Sequence, residues 1–279
     1  MKDIKILTIQ DISCVGQCSL TVALPILSAC GFETAILPSA VLSTHTGGFS
    51  GFTFRDLTDD MPLIEKHWQK ESLKFDAIYT GYLGSAKQIA YVKSIMATCS
   101  QSGALKVVDP AMADNGKLYT GFDMAFVNEM KILCASADYL LPNITEACFL
   151  TGYEYREKYD KEYIMGLFKK LSELSKATVI LTGVSYAEGK TGVAVYKDGS
   201  YSYYEHEKIS KGCHGTGDVY ASAFTGALMN GKSATESAKI AADFVVECIK
   251  NTIQNYPGHW YGVKFENQLS KLISMISKS

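Results

Sequence analysis

The feature that most constrains the fold is a repeated alternation between short aliphatic runs and longer segments with helical periodicity. Such alternation is typical of βαβ units on a mostly parallel sheet. The runs Thr191–Tyr196 and Ser200–Tyr204 flank Asp198-Gly199 and predict an antiparallel hairpin near an edge of the sheet. Strands are predicted near 4–9, 33–38, 75–80, 104–109, 138–141 and 177–182, and helices near 18–30, 61–72, 86–100, 122–135, 144–151, 160–175, 216–230, 233–254 and 265–277.

Composition and charge narrow the class of protein. Of the 279 residues, 47% are hydrophobic and 20% are charged, as in globular proteins, and the length fits one α/β domain or two. The net charge is −2, without a long block of one sign, so neither nucleic acid nor an anionic membrane is an expected partner. A neutral or small anionic ligand is expected instead.

The cysteines and the N-terminal residues indicate the cellular compartment. The eight cysteines include no C-x-x-C pair, so they are predicted to be reduced and mostly buried rather than bound to zinc or paired in disulfides. The start of the chain has no apolar region typical of a signal peptide, and no stretch of about 18 apolar residues occurs. A cytoplasmic protein without membrane contact is therefore expected.

The segment Gly226–Ser233 matches the G-x4-G-K-[ST] phosphate-loop pattern letter for letter. A phosphate loop must follow a buried strand, whereas this segment follows residues of helical composition and period. It is predicted instead to end one helix at Asn230-Gly231 and to cap the next helix at Ser233.

A stronger anion signal is the run Gly212-Cys-His-Gly-Thr-Gly-Asp218, which leads into an apolar helix. Glycines at a helix start let backbone N–H groups approach an anion, and the helix dipole adds about half a positive charge. A carboxylate beside an anion hole opposes binding unless it has another task, such as removing a proton from an attacking hydroxyl. The alternative is that Asp218 only complements the helix dipole.

Gly215-Thr-Gly-Asp218 resembles the signature of the ribokinase-like superfamily of small-molecule kinases. Four other segments resemble the pyridoxal kinase branch, in the same order, and the likeness runs from about residue 4 to 255. These segments are Ser43-Thr-His-Thr-Gly47, Thr80-Gly-Tyr-Leu-Gly-Ser85, Val108-Asp-Pro-Ala-Met112 and Leu141-Pro-Asn-Ile-Thr-Glu-Ala147. The resemblance implies a ribokinase-like three-layer α/β/α sandwich with a mostly parallel central sheet. It also implies ATP-dependent phosphorylation of the 5'-hydroxymethyl group of pyridoxal, pyridoxine or pyridoxamine.

The resemblance further implies a role for each matching residue. Asp218 would bind the substrate hydroxyl and act as the base, and the backbone amides of Gly215, Thr216 and Gly217 would form the anion hole. The matches to ring-contacting positions are Thr46, Tyr82 and either Asp11 or Ser13. The matches around the nucleotide and magnesium are Asp109, Asp114, Tyr119, Asn143, Glu146, Thr182 and Cys213, with Asp109 and Glu146 as the metal residues.

Ordinary structural roles compete with several of these assignments. Asn143 is a plausible helix N-cap with Glu146 at the third helical position, and Asp109-Pro110 is a plausible turn at a strand end. Tyr82 would stack on a planar ligand or pack in the ordinary way. Cys213 would be inert, or its thiol would face the substrate and add to an aldehyde.

The implied cofactors are ATP and Mg²⁺, a monovalent cation such as K⁺ is left open, and relatives form homodimers. Three alternatives remain: a hydroxymethylpyrimidine kinase of thiamine synthesis, a ribokinase-like sugar kinase, and a protein that binds a B6 vitamer without catalysis. The Cys213-His214 doublet resembles bacterial members near the first alternative. Because contacts from 11–13 to 218 must reach one substrate, a single domain over residues 1–279 is expected.

Overall fold

The computed structural model describes residues 3–209 and 213–277, so Gly212 of the glycine turn lies outside the described residues. The strands are β1 (Lys5–Ser13), β2 (Glu33–Leu42), β3 (Phe54–Asp56), β4 (Phe75–Thr80), β5 (Ser100–Val108), β6 (Ala113–Asp114), β7 (Lys117–Leu118), β8 (Tyr139–Leu140), β9 (Thr178–Val184), β10 (Lys190–Lys197) and β11 (Ser200–Glu207). The helices are α1 (Leu20–Ala29), α2 (Met61–Lys70), α3 (Ala86–Thr98), α4 (Met124–Cys134), α5 (Ile144–Thr151), α6 (Lys161–Leu174), α7 (Thr216–Met229), α8 (Ala234–Asn255) and α9 (Leu269–Ser277), with a 3₁₀ turn at Glu266–Gln268.

Across the described ranges, nine strands form one sheet in the order β11-β10-β9-β8-β5-β4-β1-β2-β3. The six strands from β9 to β2 are mutually parallel. The other three, β3 at one edge and β10 and β11 at the other, run antiparallel to their neighbours. The predicted mostly parallel sheet with an antiparallel edge hairpin is therefore confirmed.

Helices cover both faces of the sheet, because neighbouring residues of each parallel strand point to opposite faces and both sets are apolar. In β1, Ile6 packs into the core beneath α1, α7, α8 and α9, whereas Leu7 packs into the core beneath α2 to α6. The three layers of the predicted α/β/α sandwich follow from this alternation. Nowhere in the described part of the chain is a helix long and apolar enough to cross a bilayer.

The chain leaves β1 toward β2 on one side and leaves β4 toward β5 on the other side. Loops that depart in opposite directions open a crevice beyond the carboxyl ends of these two adjacent strands, which is where open α/β sheets bind ligands. Both strands are predicted to carry candidate site residues near these ends.

Besides the lengths of the strands, three features differ from the predictions. The glycine-rich loop after β2 leads into the short edge strand β3 and not directly into a helix, because residues 54–56 pair with β2. The hairpin β6-β7 was also not predicted, since strands of two residues have no periodicity to detect. The cysteines are less buried than expected: all eight are free thiols, but only Cys99, Cys134, Cys148 and Cys248 are buried.

The segment that matches the phosphate-loop pattern has the predicted ordinary role. Gly226 lies inside α7, where a Cβ atom would collide with the Sγ atom of Cys30. Helix α7 ends at Met229, and Ser233 caps α8 together with Glu236. Close helix packing and helix capping therefore account for this motif.

Candidate active site

The start of α7 lies against the β1–α1 connection. Gly215 has a φ of 76°, and a Cβ atom there would collide with the backbone carbonyl of Gln17. Both the left-handed conformation and this close approach require glycine. Around Gly217, by contrast, no atom of the described residues outside its chain neighbours and its own helix backbone lies within 4 Å of an added Cβ atom. The first turn of α7 thus has a tightly packed side at Gly215 and an open side at Gly217.

Asp218 lies in this first turn and is half-buried. The pKa of its carboxyl is raised to about 7, chiefly by burial and also by the negative charge of Asp11, although the backbone N–H of Ser19 donates to the carboxylate and opposes the shift. A carboxyl that titrates near neutral pH is suited to accept a proton from an alcohol during a reaction.

Asp11 and Ser13 lie side by side at the carboxyl end of β1, which extends four residues beyond the predicted strand. Both are buried, and the Ser13 hydroxyl donates to Oδ2 of Asp11 at 3.1 Å. The two residues predicted as alternatives are therefore one hydrogen-bonded pair. Burial raises the pKa of Asp11, whereas its hydrogen bonds with Ser19 and Ser13 lower it.

Asp109 and Glu146 form a pair of interacting carboxyls. Burial raises the pKa of Asp109 well above its ordinary value, and the charges of Glu146 and Asp218 raise it further. The same charges, led by that of Glu146, contribute to a raised pKa of the Tyr119 hydroxyl, after burial as the main cause. Asp109, Glu146, Tyr119 and Asp218 therefore share one electrostatic environment.

The carboxyl pair fits a magnesium ion. Among residues 3–209 and 213–277, no three His, Cys, Asp or Glu side chains are grouped closely enough to hold a metal alone. Magnesium needs fewer protein ligands, because it keeps several waters and commonly takes one or two carboxylates together with substrate phosphates. Asp109 and Glu146 are hard oxygen donors that repel each other, so a cation would relieve the repulsion.

Asn143 and Glu146 also form the predicted capping box at the start of α5. In addition, Nδ2 of Asn143 donates to the carbonyl of Ala113 at 2.8 Å, and Oε1 of Glu146 accepts from the Met112 N–H at 3.2 Å. These bonds attach the β5–β6 connection to the helix. Asn143 and Glu146 therefore have the ordinary structural role of capping α5, in addition to any role in binding a ligand.

Asp114 lies in the hairpin β6-β7, whose turn is Asn115-Gly116. Both turn residues have positive φ values, 50° and 74°, as a two-residue hairpin turn requires. Asp114 accepts from the backbone and side-chain nitrogens of Asn115 at 2.8 and 2.9 Å. The Gly116 N–H donates to Thr145 at 3.0 Å and holds the hairpin over the start of α5.

A cavity of about 750 Å³ opens beside this hairpin. Three of the residues predicted on the nucleotide side, Asp114, Asn143 and Thr182, line it. Thr182 follows the buried part of β9, and its N–H donates to the carbonyl of Pro142 at 3.0 Å. The cavity is lined by three cationic side chains that suit a polyphosphate, Arg156, Lys158 and Lys208, and by the carboxylates of Asp114, Glu157 and Glu188.

The remaining candidates lie after β4, in the loop after β2 and before α7. Tyr82 follows β4, and its ring stacks on Phe122 with a centroid distance of 5.5 Å, so a ligand would find one face of the ring already covered. Thr46 is exposed in the loop after β2. Cys213 is half-buried just before α7.

Several residues at this site were not predicted from the sequence. Ser19 donates to Asp218, Gln17 packs under Gly215, and Phe122 stacks on Tyr82. Ser19 and Gln17 contact α7 only because the sheet topology brings together positions about 200 residues apart in the chain. One signal was present, since a serine directly before an apolar helical segment is typical of an N-cap.

Comparisons with known proteins agree with this geometry. A family model described as phosphomethylpyrimidine kinase matches residues 60–262. A candidate phosphomethylpyrimidine kinase from Bacteroides thetaiotaomicron, whose crystal structure contains pyridoxal, is 39% identical with a TM-score of 0.92, over 97% of this chain and 96% of that chain.

Two further relatives differ in their described activity. The pyridoxal kinase of Lactobacillus plantarum is 32% identical with a TM-score of 0.91, over 98% of this chain and 97% of that chain. The hydroxymethylpyrimidine/phosphomethylpyrimidine kinase of Bacillus subtilis is 29% identical over 81% of this chain and 80% of its own length. The chain belongs to the phosphomethylpyrimidine kinase family and has the ribokinase-like fold of small-molecule kinases that phosphorylate an alcohol group.

Proposed function

We propose that this protein transfers the γ-phosphoryl group of ATP to the 5'-hydroxymethyl group of pyridoxal, pyridoxine or pyridoxamine. The observation that carries the proposal is Asp218, a carboxyl with a pKa of about 7 in the first turn of α7 and next to the open space at Gly217. The pyridoxal in the related Bacteroides structure and the pyridoxal kinase of Lactobacillus plantarum support a B6 vitamer as the acceptor.

In the reaction, the alcohol oxygen attacks the γ-phosphorus while the bond from that phosphorus to the β–γ bridging oxygen breaks. Asp218 accepts the alcohol proton, and ADP leaves with the electron pair of the broken bond. The backbone N–H groups of Gly215, Thr216 and Gly217 face the negative charge of the transferring group, together with the positive end of the α7 dipole. An oxyanion donor of this kind typically lowers the barrier by about 3 to 4 kcal/mol.

The residues that bind the acceptor ring and the nucleotide are assigned from their positions around the crevice and the cavity. Asp11, Ser13, Thr46 and Tyr82 hold the acceptor ring, with Asp11 and Ser13 acting as one hydrogen-bonded pair. The nucleotide occupies the cavity of about 750 Å³, where Asp114, Asn143 and Thr182 contact it. Tyr119 and Cys213 are not among the residues that line this cavity, and the resemblance alone assigns them to the nucleotide side.

Asp109 and Glu146 would hold magnesium, with Glu146 acting through water because backbone N–H groups already occupy both of its oxygens. Bound magnesium neutralises charge on the phosphate oxygens. The protein's own contribution is to place the two carboxyls in one electrostatic environment, where burial and their mutual repulsion favour a cation. Dependence on K⁺ is tested by measuring ADP formation with and without K⁺.

A second candidate is phosphorylation of hydroxymethylpyrimidine, which the matching family model and the Bacillus subtilis relative favour. Both reactions use a primary alcohol on a planar six-membered ring, so the same base and anion hole serve either acceptor. One panel separates them: ADP formation is measured with MgATP and each of pyridoxal, pyridoxine, pyridoxamine and hydroxymethylpyrimidine. A clear preference for hydroxymethylpyrimidine would overturn the proposed substrate.

The same panel addresses the non-catalytic alternative. Vitamer binding in a calorimetric titration, without ADP formation at saturating MgATP, would show a binding protein and not a kinase.

We also propose a single domain over residues 1–279, a homodimer, and action in the cytoplasm. Light scattering during size-exclusion chromatography measures the mass in solution, and a monomeric mass would contradict the homodimer.

A further inference from the structure

His45 lies at the centre of a group of rings that joins three parts of the candidate site. Its ring centroid lies 5.1 Å from that of Phe49 in its own loop and 5.2 Å from that of His214 before α7. Phe49 in turn contacts Trp260 and Tyr261, at 4.7 and 5.8 Å. Although it lies in a loop, His45 is only 5% exposed.

Two hydrogen bonds fix the orientation of the His45 ring. The backbone N–H of Gly47 donates to Nδ1 at 3.0 Å, so Nδ1 carries no proton. The proton therefore lies on Nε2, which donates to the carbonyl of Tyr261 at 2.6 Å. One ring nitrogen shapes the loop that carries Thr46, and the other attaches this loop to the segment that follows α8.

Three glycines let aromatic rings lie directly against the backbone. A Cβ atom at Gly16 would collide with the ring of His45, and one at Gly47 would lie 2.7 Å from Nδ1 of His214. A Cβ atom at Gly48 would lie 2.8 Å from the ring of Trp260. These distances are shorter than van der Waals contacts between carbon atoms or between carbon and nitrogen. The backbone is therefore shaped around the rings.

The segment after α8 also reaches the support of the anion hole. Nε2 of His259 lies 3.1 Å from Oε1 of Gln17, and the Gln17 backbone carbonyl packs under Gly215. The loop that carries Thr46, the β1–α1 connection and the residues just before α7 thus all contact either His45 or residues 259–261. A shift of His45 would therefore displace the loop with Thr46 relative to the α7 turn.

We infer that His45 is a positioning residue, which holds the loop with Thr46 in register with the α7 turn by bridging the Gly47 N–H and the Tyr261 carbonyl. This inference rests on the proposed kinase function and concerns the alignment of the acceptor hydroxyl. Removing either bond displaces the acceptor relative to Asp218, and a displacement of about 1 Å can cost a hundredfold in rate. Binding of ATP on the far side of the crevice is not affected.

The two bonds are tested separately by two conservative variants. In His45→Asn the amide oxygen replaces Nδ1 as the acceptor for Gly47, but nothing reaches Tyr261. In His45→Gln the amide nitrogen replaces Nε2 as the donor to Tyr261, but the acceptor for Gly47 is lost. We expect each variant to lower kcat/KM for the acceptor about tenfold, His45→Ala to lower it further, and KM for ATP to change less than about twofold.

The matched control is His67→Ala, since His67 is an exposed histidine on α2 whose Nε2 lies 3.9 Å from Oε1 of Glu71. A spectroscopic measurement complements the kinetics, because Trp260 packs on the loop and the other tryptophan is Trp68. With Trp68→Phe as the background, we expect His45→Ala to red-shift the Trp260 emission while the far-ultraviolet circular dichroism stays unchanged. The red shift reflects separation of the loop from Trp260.

The outcomes are distinct. An active wild type whose three His45 variants keep wild-type acceptor kinetics would overturn this inference alone. A wild type without turnover on any acceptor would overturn the proposed function and the inference with it. If His45→Ala does not fold, the kinetics of His45→Asn and His45→Gln decide whether His45 has the positioning role. Folded variants with wild-type kinetics refute the positioning role, and folded variants with selectively impaired use of the acceptor support it.

Discussion

Asn143 and Glu146 bond each other's backbone at the start of α5: the Glu146 N–H donates to Oδ1 of Asn143 at 2.9 Å, and the Asn143 N–H donates to Oε2 of Glu146 at 2.9 Å. Glu146 thus combines a helix cap with a candidate metal-binding carboxylate. Its pKa is raised, chiefly because the carboxyl is buried.

The two hydrogen bonds of the Glu146 carboxyl predict losses of different size for two substitutions. Glu146→Gln keeps one acceptor oxygen for the Asn143 and Met112 N–H groups, which each bond one oxygen of Glu146, so we expect a small decrease in melting temperature without metal. Glu146→Ala loses the cap and leaves backbone N–H groups unpaired, at a cost of about 1 kcal/mol or more. Thermal unfolding measures both. Equal melting temperatures for the two variants would contradict the capping role.

The general base predicts a large kinetic effect. Asp218→Ala should lower turnover at least about a hundredfold, as the loss of general base catalysis does, while ATP still binds. Steady-state kinetics and calorimetric titration with ATP measure the two quantities. Nearly normal turnover in this variant would remove Asp218 from its assigned role.

Turnover should also depend on pH through Asp218. Only the unprotonated carboxylate accepts a proton, and its pKa is about 7. We therefore expect kcat/KM for the acceptor to fall about tenfold for each unit of pH below 7 and to level off above it. A profile that is flat between pH 5 and pH 8 would contradict the assignment.

Stability should show the opposite trend over the same range. The folded protein keeps a proton on Asp218 up to about pH 7, whereas the unfolded chain releases it near the ordinary value of 3.8. Folding therefore takes up a proton in this window, and the free energy of unfolding decreases as pH rises from about 4 to 7. Asp218→Asn should reduce this decrease, which urea titrations at several pH values measure.

The two glycines of the α7 turn form a matched pair. Gly215→Ala should destabilise the fold by about 1 to 2 kcal/mol or more, because of its φ of 76° and the Gln17 carbonyl. Among residues 3–209 and 213–277, the methyl group of Gly217→Ala meets no atom beyond its own helix, so this variant should fold with equal or higher stability, since alanine favours a helix. Its methyl group would crowd the anion hole, so turnover should fall about tenfold or more. Full activity in Gly217→Ala would argue against the anion hole.

The elements with strong periodicity were predictable, whereas the contacts between them were not. Helix α7 was predicted at 216–230 and found at Thr216–Met229, because its apolar residues repeat with helical period. The two-residue hairpin strands and β3 carry no such pattern. Asp218 was identified from its glycines, but the Ser19 N–H that bonds it is nearly 200 positions away, and only the fold brings the two together.

His45 shows why the rest of the site could not be predicted. Its residue type and its loop were visible in the sequence, but its partner is the backbone carbonyl of Tyr261, and every residue type has a backbone carbonyl. Contacts of this kind leave no trace in composition or spacing. The same holds for the stacking of Phe122 on Tyr82.

One face of the sheet is covered by α1 from near the start of the chain and by α7, α8 and α9 from its end. During synthesis, the apolar side chains on that face must therefore stay uncovered until the last quarter of the chain has left the ribosome. Partly made chains would expose this surface and be prone to aggregate. A nascent chain that stops before α7 should thus depend on chaperones, although most of its sheet is already complete.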